Sequence, residues 1–230
     1  MVIFTIFEDF INLFFPLTCA SCGNNLLKNE KAICTHCLYH IPKTNYHFEK
    51  DNPISKLFWG RVNIENATAF YFFQKGSKFQ KLIHYLKYKG HKEIGYELGK
   101  IFGFELVASS LFNMIDLIIP VPLHPRKEKK RGFNQSEVIA KGISESMRKP
   151  VMVNLLYRTV EAETQTRKSR FERWKNVEEI FQVGNYGAIK NKHILLVDDV
   201  VTTGSTLESC AIELLKAENT KVSVATIAVA

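Results

Sequence analysis

Along the 230-residue chain the apolar positions change their period several times, and each change marks an element. Val2, Ile3, Ile6, Phe10, Leu13 and Phe14 recur at helical spacing up to Pro16, which predicts a short amphipathic helix. Such a helix docks on its own domain or meets a membrane surface or a partner. Residues 38–58 lack periodicity and hold turn formers, as a connection does. Residues 66–73, NATAFYFF, are apolar and aromatic enough for a strand. The stretch from Lys78 to Leu111 reads as two helices broken at Gly90. Residues 116–123, DLIIPVPL, form a continuous apolar run stopped by prolines, the pattern of a buried parallel strand. A helix over 134–147, a short strand over 150–156, a strand over 192–200, a helix over 205–219 and a last strand over 221–230 follow. Strands alternating with helices predict an α/β fold with a doubly wound, mostly parallel sheet.

Two stretches depart from this alternation. The first is CASCGNNLLKNEKAICTHC, where Cys19, Cys22, Cys34 and Cys37 stand as two C-x-x-C pairs around a loop. Two residues between thiols make a turn tight enough to aim both at one ion, and the loop lets the second pair complete a tetrahedron. The spacing predicts a structural zinc site, with disulfides or free thiols as the alternatives. Four cysteine ligands leave no open coordination position for chemistry. His36 stands inside the second pair as a less favoured substitute ligand. Cys210, alone on a predicted helix, reads as a small buried apolar residue. The boundary expected is a small N-terminal zinc-finger module over 1–60, then an α/β domain over 61–230.

The second stretch is HILLVDDVVTTGSTLES, residues 193–209. In an open parallel sheet, ligands sit beyond the carboxyl ends of the strands. ILLV delivers Asp198 and Asp199 to that edge. Thr202, Thr203, Gly204, Ser205 and Thr206 then turn into a helix, presenting backbone N–H groups, hydroxyls and a helix N-terminus to an anion. Carboxylates repel phosphate, so their partners are hydroxyls or a cation. A ribose 5-phosphate carries both halves of the required chemistry; the bland alternative is that the two acids merely cap the turn. Neither G-x-x-x-x-G-K-[ST] nor a G-x-G-x-x-G after a strand occurs, which argues against P-loop and dinucleotide folds.

Charge adds a third element. Lys and Arg number 31 against 23 Asp and Glu, a formal net charge of +8. That balance suits nucleic acid, phosphate-rich ligands or an anionic surface. No apolar run reaches the roughly 18 residues a membrane span requires, and Glu8 and Asp9 interrupt the N-terminal candidate, a poor signal peptide.

Taken together and in this order, the four cysteines, PVPLHPRKEKKRGFNQS, RT followed by TQTRKSRFERWKNVEEIF, and ILLVDDVVTTGST resemble the ComF family, competence-associated proteins similar to type I phosphoribosyltransferases. The resemblance covers nearly the whole chain. It implies that Asp198 and Asp199 hold the ribose hydroxyls of phosphoribosyl pyrophosphate (PRPP) and that Thr202 to Thr206 hold its 5-phosphate. It places Val121, Pro122, Leu123 and His124 at the diphosphate, with Arg131, Gly132, Phe133, Asn134 and Gln135 as an anion-binding signature. It puts a lid over the substrate around Arg158, Thr159, Thr164, Gln165, Arg170, Arg173 and Asn176, and it implies Mg²⁺ between diphosphate and ribose oxygens. No N-terminal cysteine nucleophile is present, so glutamine hydrolysis is rejected.

Two functions are compatible with the resemblance. One is a PRPP-binding protein of DNA uptake in natural transformation that contacts single-stranded DNA. The other is an active phosphoribosyltransferase with an unknown acceptor. The expected setting is the cytoplasm or the periphery of the inner membrane, with competence DNA-translocation proteins and the inner-membrane surface as candidate partners. For DNA the candidate contacts are Arg126, Lys127, Lys129 and Lys130, with Lys28, Lys31, Lys75, Lys78 and Lys81 elsewhere.

Overall fold

The computed structural model describes residues 15–159 and 181–230. The predicted N-terminal helix and the lid positions Thr164, Gln165, Arg170, Arg173 and Asn176 lie outside the described residues. The described elements run α1 (Thr35–His40), a 3₁₀ turn (Tyr46–Phe48), α2 (Pro53–Lys56), β1 (Ala67–Phe72), α3 (Lys78–Tyr88), α4 (Lys92–Ala108), β2 (Leu117–Pro120), α5 (Pro125–Arg131) and α6 (Gln135–Met147). Then come β3 (Leu156–Arg158), β4 (Phe181–Val183), a 3₁₀ turn (Tyr186–Ala188), β5 (His193–Val201), α7 (Ser205–Leu214) and β6 (Lys221–Val229).

Four strands form one parallel sheet in the order β1-β6-β5-β2. Their residues are mostly apolar because both faces are covered. Ile118, Leu195, Val197, Ala225 and Ile227 point into a core completed by α3, α4, α6 and the cysteine segment. Leu117, Ile119, Ile194, Leu196, Val222 and Val224 point into the opposite core, completed by α2, α7 and the β3–β4 ribbon. Cys210 lies fully buried in the second core, the apolar role its position predicts. The outer edge of β1 is covered by residues 42–44, where Thr44 N–H donates to Phe70 O and Phe72 N–H to Pro42 O. No helix among the described residues is long and apolar enough to cross a membrane.

Two local readings need correction, and one basic stretch gains an element. The run 150–156 is not a strand of the sheet. Pro150 has no N–H to donate, and only Val151 makes a parallel bridge, to Ile118. The chain turns at Val153 and Asn154, and Leu156 opens the antiparallel ribbon with β4 instead. The basic stretch PRKEKKR is helical: Pro125 occupies the first turn, His124 Nδ1 accepts from the Arg126 N–H at 3.2 Å, and Gly132 ends α5 in the left-handed region. The supposed connection over 38–58 contains α2, whose cap is Asn52. That side chain is buried, accepts from Ile54 and Ser55 N–H, and donates to Tyr46, Glu49 and Ala67 carbonyls. A short helix with no amphipathic period gives no signal beyond its cap.

The helix pair α4–α6 sets the position of the site. A Cβ on Gly99 would stand 2.3 Å from Ile139 O, and one on Gly142 would stand 2.1 Å from Tyr96 O. The two backbones therefore touch, and α6 cannot slide without separating them. This fixes its first residues, Gln135 and Ser136, against the end of β5.

Candidate functional site

The site is built where β2 and β5 end. β5 carries Asp198 and Asp199 near its carboxyl end, and the chain then leaves the sheet through exposed Thr202 and Thr203 to Gly204. Gly204 has φ +77°, and a Cβ there would lie 3.2 Å from the Phe58 ring, so the turn demands glycine for conformation and for space. Ser205 begins α7, leaving its first N–H groups and the hydroxyls of Thr202, Thr203, Ser205 and Thr206 around one hollow. Thr203 Oγ1 and Ser205 Oγ lie 3.1 Å apart. The turn is braced from behind by Arg61, which donates to Leu57 O and Thr203 O at 3.0 and 3.1 Å and pairs with Glu208.

The acid pair is asymmetric. Asp198 Oδ1 accepts from Ser136 Oγ and from the Asp199 N–H, both at 2.8 Å. Asp199 is held by Lys87 of α3, whose Nζ stands 3.0 Å from Oδ1 and 2.9 Å from Oδ2. Burial and then the neighbouring Asp199 push Asp198 up from 3.8 to about 7, against the opposing pull of Ser136, the Asp199 N–H and Lys87. The oxygens of the two carboxyls are the donor type that suits Mg²⁺.

The adjoining loop leaves β2 at Val121, whose N–H still pairs with Val197 O. Asn134, buried, donates to Val121 O at 2.9 Å and caps α6 by accepting from Ser136 N–H at 3.0 Å. Gln135, also buried, donates to Phe133 O and accepts from Arg131 Nη1. The Arg131 guanidinium lies 5.3 Å from the centroid of the Tyr88 ring. The last turn of α3 therefore touches both halves of the site, Asp199 through Lys87 and the RGFNQ segment through Tyr88. Pro122, Leu123 and His124 are half-buried between the two.

Away from the sheet edge, Cys19, Cys22, Cys34 and Cys37 bring their sulfurs within 4.8 Å of one another. Cys22 Sγ and Cys34 Sγ are 3.8 Å apart, close to the separation that sulfurs about 2.3 Å from one tetrahedral ion would have. Burial pushes Cys34 up to about 12 and raises Cys37. At Cys19 burial is outweighed by N–H donors from Cys34, Cys22 and Ser21, which bring it down to about 7. Four thiolates so close need a cation among them, so the cluster fits a thiophilic metal ion held by protein ligands alone. His36 is exposed on α1 and outside this set.

The family model for the phosphoribosyl transferase domain matches residues 122–230. The DNA utilization protein YhgH of Shigella flexneri is 29% identical over 202 residues, covering 86% of this chain and 84% of that protein. Competence protein ComFC of Bacillus subtilis is 26% identical over 205 residues, covering 86% of this chain and 78% of the relative. Competence protein F of Haemophilus influenzae is 33% identical over 93 residues, 40% of this chain and 41% of its own length. The chain is a homologue of these DNA utilization and competence proteins and carries a phosphoribosyl transferase domain. It has a type I phosphoribosyltransferase fold, seen here as the parallel sheet with helices on both faces, with a four-cysteine cluster toward the N-terminus.

Within this phosphoribosyltransferase-type fold the acids, the hydroxyl turn and the loop after β2 meet at one sheet edge, while the cysteines gather elsewhere. Arg131 reaches the same edge through Tyr88 and Gln135, whereas Arg126, Lys127, Lys129 and Lys130 extend along exposed α5. Three contributors escaped the sequence reading: Lys87, Ser136 and Arg61. Each lies on a helix or loop whose local pattern reports only solvation or capping. Lys87 is 112 positions from Asp199 and Arg61 is 142 from Thr203, so no local spacing announces them.

Proposed function

We propose that the sheet-edge site binds PRPP and that this binding serves a role in DNA uptake during competence, in keeping with the relatives named for DNA utilization and competence. The observation that carries the reading is the sequence of chemistries along one turn: paired carboxyls, then hydroxyls and free N–H groups at the start of α7, within one small hollow. The anionic end of the ligand meets the N–H groups of 203–206 and the turn's hydroxyls. Asp198 and Asp199 accept from the ribose hydroxyls, Ser136 orienting the first and Lys87 the second. The diphosphate then extends toward Val121 to His124 and Arg131. Mg²⁺, if bound with the ligand, would neutralise part of its negative charge, with the Asp198 and Asp199 carboxyls as the nearby hard oxygen donors.

In the same reading the four cysteines hold a structural zinc ion. Single-stranded DNA is contacted by basic residues outside the pocket, and exposed α5, with Lys127, Lys129 and Lys130, is the best-placed group. Thermal melting with PRPP and Mg²⁺ tests the ligand. The wild type should gain several degrees at saturation, and Asp198→Ala with Asp199→Ala should gain none. Equal gains in both place the ligand elsewhere. Retention of a labelled single strand on the zinc-loaded protein tests DNA, and charge reversal at the three α5 lysines should weaken it and flatten its salt dependence. Release of pyrophosphate in the presence of nucleobases would assign transferase chemistry to the pocket in addition.

A further inference from the structure

The Lys87–Asp199 pair bears on how the pocket handles cations. Lys87 stands in the last turn of α3 with both carboxylate oxygens of Asp199 at 2.9–3.0 Å. The pair is largely covered, with side chains 22% and 13% exposed, so water screens it little. The other carboxyl is also engaged, by Ser136 Oγ and by a backbone N–H. Both Asp199 oxygens are therefore already held by a full positive charge, and Asp198 Oδ1 by two hydrogen bonds. The lysine is held in place by its surroundings: Leu82, Ile83 and Leu86 bury the inner face of α3, and Tyr88 next to it stacks under Arg131.

We propose that Lys87 is a resident counter-ion that denies the acid pair to a free divalent cation. A metal can then enter only together with an anionic ligand, whose own oxygens supply the ligands the protein withholds. Lys87 also fixes the rotamer of Asp199, so that the carboxylate stands ready for a hydroxyl without collapsing onto the cations of the cytosolic pool. Bringing a dication to Asp199 requires the ammonium to leave or to tolerate a second positive charge beside it. Either raises the dissociation constant of the metal. The inference builds on the reading of the acid pair as a sugar-binding pair, yet it concerns the protein without PRPP and can fail separately.

The test is binding of Mn²⁺ alone to zinc-loaded protein, followed by the paramagnetic signal of the free ion, in wild type, Lys87→Gln and Lys87→Arg. Wild type and Lys87→Arg should show no saturable site in the millimolar range. Lys87→Gln, which keeps a hydrogen-bonding side chain of similar length, should bind at least roughly tenfold tighter, the minimum expected from removing one unit charge at contact distance. Adding Asp199→Asn to Lys87→Gln should abolish that site. Wild type and Lys87→Gln binding Mn²⁺ equally would overturn the proposal, as would a Lys87→Gln site that survives Asp199→Asn. Loss of the PRPP melting shift in wild type, with the Mn²⁺ result intact, would sink the ligand reading and leave the counter-ion role standing.

Discussion

Asp198 offers a sharp test of the site's energetics because its charge is disfavoured by the fold that holds it. Burial and Asp199 raise it from 3.8 to about 7, so between these values the folded chain keeps a proton that the unfolded chain releases. Raising the pH through that window favours the unfolded state, and stability falls by up to about 1.4 kcal/mol per pH unit. Over the gap of about three units the loss is at most about 4 kcal/mol, complete above pH 7, where both states are ionised. Asp198→Asn removes the titration and keeps the shape. Its carbonyl can still accept from Ser136 Oγ and from the Asp199 N–H. The variant should equal the wild type near pH 4 and exceed it progressively toward pH 8. Urea melts of both proteins at pH 4, 5, 6, 7 and 8 measure the difference, in which titrations common to both cancel. A difference that stays constant across the series, or that grows toward acid, refutes the argument. A stabilised variant that no longer shows a PRPP shift would identify Asp198 as a charge retained at the expense of stability.

Two further outcomes follow from the packing. Gly142→Ala drives a Cβ to 2.1 Å from Tyr96 O and 2.7 Å from Lys100 N, so α4 and α6 must separate. A loss of about 1–3 kcal/mol is expected in urea melts, with a weakened PRPP shift because Ser136 moves with α6; an unchanged midpoint would mean the helices adapt freely. Stripping the proposed metal ion from the cysteines with a chelator should lower the melting temperature, because Cys19, Cys34 and Cys37 lie in the same core as Ile33, Ile41, Phe79 and Leu82. Complete metal release with no change in melting would separate the cysteine cluster from that core's stability.

The sequence by itself determined the elements whose signal is local. Buried parallel strands need mostly apolar runs, so β2, β5 and β6 stood out. Gly90, with φ +78°, broke α3 from α4 where the pattern lost its period. The acids and the hydroxyl turn were contiguous, and the four cysteines were spaced for a turn, so both groups were legible before any fold was known. Tertiary structure decided what depends on distant partners. The run 150–156 has strand composition, but Pro150 and the turn after it leave one bridge to Ile118, and a ribbon with β4 takes Leu156 to Arg158. PRKEKKR has the composition of a solvated loop, and only its capping by His124 and Gly132 reveals a helix. Lys87 on a helix surface has the appearance of one more solvated lysine. It becomes part of the site only because α3 runs past the end of β5, and a charge acquires its meaning from the oxygens within 3 Å of it, which no one-dimensional pattern records.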